Sequence, residues 1–147
     1  MFTGRYDHTI DRKGRVAIPA KFRDVITREY DSGPLVITNL EKCLVLLPLR
    51  EWSRTQERAS QIPLSNAEAQ DWLRFFVSGA VECPIDRQGR ILIPPTLREH
   101  AGLDKQVIFA AMLTRFEIWD KGRFQQELKK TGSNFASIAG AVEKYGV

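Results

Sequence analysis

From Phe2 to Ile10 apolar and polar positions roughly alternate, with Tyr6, His8 and Ile10 on one side, which predicts a strand. Asp11-Arg12-Lys13-Gly14 interrupts it as a turn, because an Asp side chain bonds its own following backbone and Gly14 supplies a positive-φ position. Arg15 to Ile18 is then the return strand of a hairpin, with Val16 and Ile18 opposite Arg15 and Ala17. Pro19 cannot extend a ladder but suits the start of a short helix from Ala20 to about Ile26. After a loop at Asp31-Ser32-Gly33-Pro34, the dense apolar runs Leu35–Thr38 and Cys43–Leu47 predict a second hairpin of buried strands around residues 39–42. A helix follows Pro48, from Leu49 to about Ser60, with Trp52 and Ala59 inward; Gln61-Ile62-Pro63-Leu64 breaks it. Ser65-Asn66-Ala67-Glu68 reads as a capping box. Behind it Ala69, Trp72, Leu73, Phe76, Val77 and Ala80 form one helical stripe, expected to be core.

The pattern then restarts. Val81 to Ile85 is a strand, Asp86-Arg87-Gln88-Gly89 a turn and Arg90 to Ile93 a return strand. Pro94 and Pro95 lead into a helix from Thr96 to Ala101, closed by Gly102. Residues 107–111 and 116–119 repeat the second hairpin, and a helix from Lys121 to about Lys129 repeats the one after it. From Thr131 the chain is weakly patterned and is expected to fray. The repeat is written in identities as well as in pattern. Ile10, Asp11, Arg12, Gly14, Arg15, Ile18, Pro19 and Arg23 recur without a gap as Ile85, Asp86, Arg87, Gly89, Arg90, Ile93, Pro94 and Arg98. A match of this density at one constant offset marks a duplicated supersecondary unit, each copy being hairpin, short helix, hairpin, helix.

Composition changes this picture little: 43% hydrophobic and 27% charged residues fit a globular chain of 147 residues, one domain or two small halves on one core. No apolar run is long enough to span a membrane, and the N-terminus lacks the apolar stretch of a signal peptide. Cys43 and Cys83 stand without CxxC or Cys-His spacing, so reduced buried thiols in a cytoplasmic protein are expected. Charge is more informative once located. The net charge is +4; residues 1–28 hold seven bases against three acids, and the remainder balances. Arginines outnumber lysines 14 to 8, which suits bidentate contact with phosphates or base edges.

Each turn groups cations at its tip: Arg12, Lys13 and Arg15 in the first copy, Arg87 and Arg90 with the polar Gln88 in the second. Two such tips on one rigid body make paired prongs suited to phosphate contact and to base reading by a β-ribbon. The plainer alternative pairs Asp11 with Arg15 and Asp86 with Arg90 across their own turns, and both can hold. An enzyme is disfavoured. Asp11 and Asp86 could serve as symmetric carboxylates, but the neighbouring Arg residues should depress their pKa; the only histidines, His8 and His100, are unmatched between copies. Gly-rich phosphate loops and metal-ligand spacings are absent from the sequence, and no catalytic residue, cofactor, metal or small-molecule substrate is expected. The remaining alternative is a non-enzymatic oligomerisation or antitoxin-like protein-interaction module, for which hydrophobic tips would be expected.

The opening Met1-Phe2-x-Gly4-x-Tyr6-x-His8-x-Ile10-Asp11-x-Lys13-Gly14-Arg15, with Pro19, Lys21 and Arg23, resembles the start of the MraZ family of bacterial transcriptional regulators. The second copy from Asp86 to Pro94, Leu97-Arg98 and Phe116-Glu117-Ile118-Trp119 resemble that family's second half, over about residues 1–128 in all. Gln88, where the first copy has Lys13, departs from equal strength of the two tips. The resemblance implies a mainly β fold with helices: two swapped-hairpin SpoVT-AbrB repeats interleaved into one pseudo-twofold double-split β-barrel capped by helices. It divides the chain into a first repeat at 5–52, a helical connector at 53–80, a second repeat at 81–124 and a C-terminal helix end and tail at 125–147. It further implies a cytoplasmic, nucleoid-associated repressor of its own division and cell-wall operon, binding upstream repeats of double-stranded DNA as a ring-shaped homo-oligomer. Arg12, Lys13, Arg15, Arg87, Gln88 and Arg90 would make the contacts, Arg15 foremost, while Asp11, Asp86, Gly14 and Gly89 would shape the turns. With charge concentrated in the first copy, Arg15→Ala is expected to weaken binding more than Arg90→Ala.

Overall fold

The computed structural model describes residues 1–31 and 33–147; of the expected loop at 31–34, Ser32 lies outside the described residues. In chain order the elements of the first half are β1 (Arg5–Thr9), β2 (Arg15–Ala17), α1 (Ala20–Glu29), β3 (Leu35–Asn39), β4 (Leu44–Pro48), α2 (Leu49–Ala59) and α3 (Ala67–Trp72), which runs on into a π turn (Leu73–Val77). The second half comprises β5 (Val81–Cys83), β6 (Arg90–Leu92), α4 (Pro95–Ala101), β7 (Gln106–Ala111), β8 (Phe116–Asp120), α5 (Lys121–Ser133), α6 (Phe135–Ala139) and a closing 3₁₀ turn (Gly140–Tyr145). Helices take up more of the chain than strands, so the fold is α+β rather than mainly β.

The first strands do not pair as the local pattern predicts. β1 and β2 are joined by a tight turn, yet β1 pairs antiparallel with β7 and β2 pairs with β6, both from the other copy. β5 likewise leaves its own turn to pair with β3. The second hairpins, β3–β4 and β7–β8, form as expected and are joined by β4–β8. The result is an antiparallel sheet of order β1-β7-β8-β4-β3-β5 and a separate ribbon β2-β6; among the described residues neither closes into a barrel. Three residues per ribbon strand are too few for an independent hairpin, and crossing to the other copy gives Val16 and Ile91 a shared burial that a local hairpin would not.

Both faces of the sheet are covered, which explains its uninterrupted apolar strands. On one face Leu35, Ile37, Leu44, Leu46, Phe109 and Phe116 pack beneath the ribbon and helices α1 and α4. Phe22 of α1 stacks on Phe116 at 3.6 Å between ring centroids, with Phe2 edge-on to both. The opposite face is covered by α2 and the π turn through Trp52 and Phe76, and by α5 through Phe124.

Three local readings are corrected. The helix cap falls on Asn66, whose side chain accepts the Ala69 N–H at 3.1 Å, not on Ser65 in a reciprocal box. The apolar stripe behind it is not one buried face: the π turn widens the helix by a residue, Phe76 reaches the core, and Trp72 stays 41% exposed with its ring stacked on Phe76 at 4.7 Å. Within the wide turn the Phe76 carbonyl accepts from Thr38 Oγ1 at 2.6 Å, tying it to β3. Beyond Thr131 the chain is helical, although nothing in α6 or the 3₁₀ turn is buried.

Candidate nucleic-acid interface

The two duplicated turns have matching geometry. Asp11 Oδ1 accepts the backbone N–H groups of Lys13 and Arg15, each at 2.9 Å, and Asp86 Oδ1 accepts those of Gln88 and Arg90 at the same distance. The second carboxylate oxygen binds the guanidinium four residues on, Arg15 Nε at 2.7 Å and Arg90 Nε at 3.0 Å. Gly14 and Gly89 close the turns in the left-handed region, at φ 88° and 75°. The expected pairing of each Asp with its Arg is therefore present. Both carboxyls lie below the ordinary carboxylate range, foremost because of the N–H of Arg15 or Arg90, with the guanidinium a smaller cause. An acid held in this state is a poor proton donor.

The ribbon sets where the turns point. Its antiparallel register places Arg15 opposite Leu92, Val16 opposite Ile91 and Ala17 opposite Arg90. Residues directly opposite share a face. Val16 and Ile91 face the core, each 1% exposed. Arg15, Ala17, Arg90 and Leu92 share the outer face, where the two arginines form one diagonal. Ladder contacts extend one step beyond the strands, Ile18 N–H to the Gly89 carbonyl at 2.8 Å and Ile93 N–H to the Gly14 carbonyl at 2.9 Å. The turns thus cap opposite ends of the ribbon, about 14 Å apart at roughly 3.4 Å of rise per residue.

Sequence-predicted site residues fall into two groups. Arg12, Lys13, Arg87 and Gln88 stand exposed at the tips, and the three cations among them make no ion pair among the described residues. Arg15 and Arg90 lie one step inward on the outer face, half-buried and held by their aspartates. Arg15 and Arg90 thus share the ribbon's outer face, with the other four exposed at its two ends. Leu92, not among the sequence-predicted residues, is 56% exposed on that outer face opposite Arg15; its signal is its register, two residues from Arg90 in a strand that alternates.

Arg23 and Arg98, identical at the repeat offset, are likewise outside the sequence-predicted set. A Cβ built on Gly14 would lie 2.9 Å from Nε and Cζ of Arg98, and one built on Gly89 would lie 2.8 Å from Cζ of Arg23. Each copy's helix therefore lays a guanidinium against the other copy's turn. The histidines are elsewhere: His8 packs edge-on to Phe109, its pKa lowered mainly by burial, and His100 Nε2 meets the Leu40 carbonyl. Among the described residues there is no cluster of three His, Cys, Asp or Glu side chains fit for a metal, and no helix long and apolar enough to cross a membrane.

The chain matches, twice, the family model described as "MraZ protein, putative antitoxin-like", over residues 1–75 and 76–143. It is 43% identical over 147 residues to a protein of Caldanaerobacter subterraneus subsp. tengcongensis, covering all of both chains. It is 45% identical over 139 residues to one of a Thermoanaerobacter species, covering 95% of this chain and 94% of the other. A protein of Pediococcus pentosaceus is 40% identical, again over the full length of both. Each of the three bears the name Transcriptional regulator MraZ. With both halves of its sequence matched and full-length relatives well above 30% identity, the chain belongs to the MraZ family.

Proposed function

We propose that this protein is a sequence-specific DNA-binding transcriptional regulator that represses its own operon by setting the two turns and the ribbon between them on repeated upstream DNA. The observation that carries the reading is the ribbon's outer face, with paired turns at its ends and the exposed cations Arg12, Lys13 and Arg87 at their tips. Two chemistries meet there. Exposed unpaired cations suit phosphate contact, whereas Arg15 and Arg90, oriented by Asp11 and Asp86, have the fixed fork that base edges require. The name shared by the relatives supports transcriptional regulation. The exchange of β1, β2 and β5 between copies supports assigning the interleaved SpoVT-AbrB units to 5–52 and 81–124, with 53–80 as connector and 125–147 as tail. A ring of such chains on spaced repeats would gain affinity through multivalency. Such a protein would work in the cytoplasm, associated with the nucleoid.

The test is a titration of the purified protein on DNA from upstream of its own operon, across a salt series. Specific binding with a steep negative slope of log K against log salt, made shallower by Lys13→Ala, is expected, because each phosphate contact contributes about −0.9 to that slope. Arg15→Ala is expected to cost more affinity than Arg90→Ala. A well-folded protein without affinity for this DNA at low salt would refute the reading and favour a protein-interaction module.

A further inference from the structure

We propose that Arg23 and Arg98 are nucleic-acid-contacting residues, each completing the tip of the copy to which it does not belong; this rests on the DNA-binding reading above. Arg98 comes from α4 of the second copy and lies against Gly14 of the first turn, while Arg23 comes from α1 of the first copy and lies against Gly89 of the second. Both glycines are buried beneath these side chains, so the guanidinium occupies the space any other residue's Cβ would take. Among the described residues neither guanidinium makes an ion pair or a side-chain hydrogen bond, and Arg98 Nε is buried with no partner at all. The nearby carboxylates do not answer them, since Asp11 and Asp86 are already engaged by Arg15 and Arg90. A buried charged donor without an acceptor is costly, and an anion at the tip would supply what the protein withholds. A phosphate seated on Lys13 or Arg87 would have the second guanidinium beside it, with planar geometry suited to a bidentate contact.

The exchange decides which copy supplies the last cation at each tip. The first turn carries Arg12, Lys13 and Arg15 with Arg98 against its Gly14, and the second carries Arg87 and Arg90 with Arg23 against its Gly89, so each tip takes one cation from the opposite copy. Neither half of the repeat then carries a complete contact set alone.

The experiment compares wild type, Arg23→Gln, Arg98→Gln and the corresponding Lys variants on the same upstream DNA across the same salt series, with thermal unfolding followed in parallel. The expected result is that each Gln variant flattens the salt slope by about 0.9 while Lys restores it. A pure brace beneath the turn would lower the unfolding midpoint or the affinity while leaving the slope at its wild-type value, and that result overturns the assignment. Arg23 is exposed, so its Gln variant keeps the fold and decides the matter should Arg98→Gln not fold. Wild type without salt-dependent DNA binding refutes the DNA reading and this inference together; wild-type binding with unchanged variant slopes refutes this inference alone.

Discussion

Replacing Gly14 or Gly89 by alanine makes the same chemical change at matched positions of the repeat, yet the two should differ in cost. Both glycines lie in the left-handed region, at φ 88° and 75°. A Cβ there costs about 1–2 kcal/mol, partly offset by about 0.4–1 kcal/mol because alanine restricts the unfolded chain. At Gly89 the new methyl meets the guanidinium of Arg23, the far end of an exposed side chain that can swing away. The net loss for Gly89→Ala is therefore about 1 kcal/mol. At Gly14 the methyl meets half-buried Arg98 at 2.9 Å and, at 3.0 Å, the backbone carbonyl of Ile93, which is bound into the ribbon by its own N–H. Overpacking against such neighbours adds about 1–3 kcal/mol, bringing Gly14→Ala to about 2–4 kcal/mol. Gly140→Ala is the control, since Gly140 has ordinary helical φ and nothing within 4 Å, and its stability should stay within about 0.5 kcal/mol of wild type. Equilibrium urea unfolding at one fixed protein concentration reads the three differences as midpoint shifts at constant slope. Equal losses at Gly14 and Gly89, or a larger one at Gly89, would refute the assignment of a rigid neighbour to the first turn and a movable one to the second.

Phe116→Ala removes a fully buried ring that stacks on Phe22 and meets Phe2, and should cost about 3–5 kcal/mol in the same unfolding assay. A loss under about 1 kcal/mol would contradict one shared core beneath the ribbon. Asp11 and Asp86 both have native pKa values below the ordinary 3.8, so their contribution is intact above that value and is lost as pH falls through the lowered native value. The thermal midpoint should therefore fall below about pH 4, and less steeply in the Asp11→Asn, Asp86→Asn double variant; identical acid profiles would exclude the turns as the source. Burial foremost pushes the thiol of Cys43 up to about 12 and that of Cys83 up to about 11. Neither should react with a thiol reagent at pH 8 until the protein is unfolded, and rapid labelling of the native protein would place a thiolate at the surface.

Much of this molecule is legible in its sequence because the decisive signals are local. The Asx geometry of Asp11 and Asp86, the left-handed Gly14 and Gly89, the Gly102 helix stop and the buried strands of the second hairpins each depend on residues a few positions apart. So does the placing of cations at the turns. Where neighbouring elements compete, local reading fails. The periodicity from Ala69 to Ala80 could not reveal a π turn, because a contact that holds that turn comes from the Thr38 hydroxyl, 38 positions from Phe76. Nor could alternation along β1 and β2 distinguish a local hairpin from strands that part to different partners, since side-chain period is the same in both.

The charge pattern shows the same division. By itself the sequence determined that the excess positive charge lies in residues 1–28 and that Arg23 and Arg98 are equivalent. Only the tertiary structure decided that Arg23 lies against the second copy's turn and Arg98 against the first's, a one-for-one swap that leaves the first tip one cation ahead. The reason is physical: each ribbon strand is too short to bury its apolar face alone, so the copies must cross, and crossing carries each helix to the turn of the other.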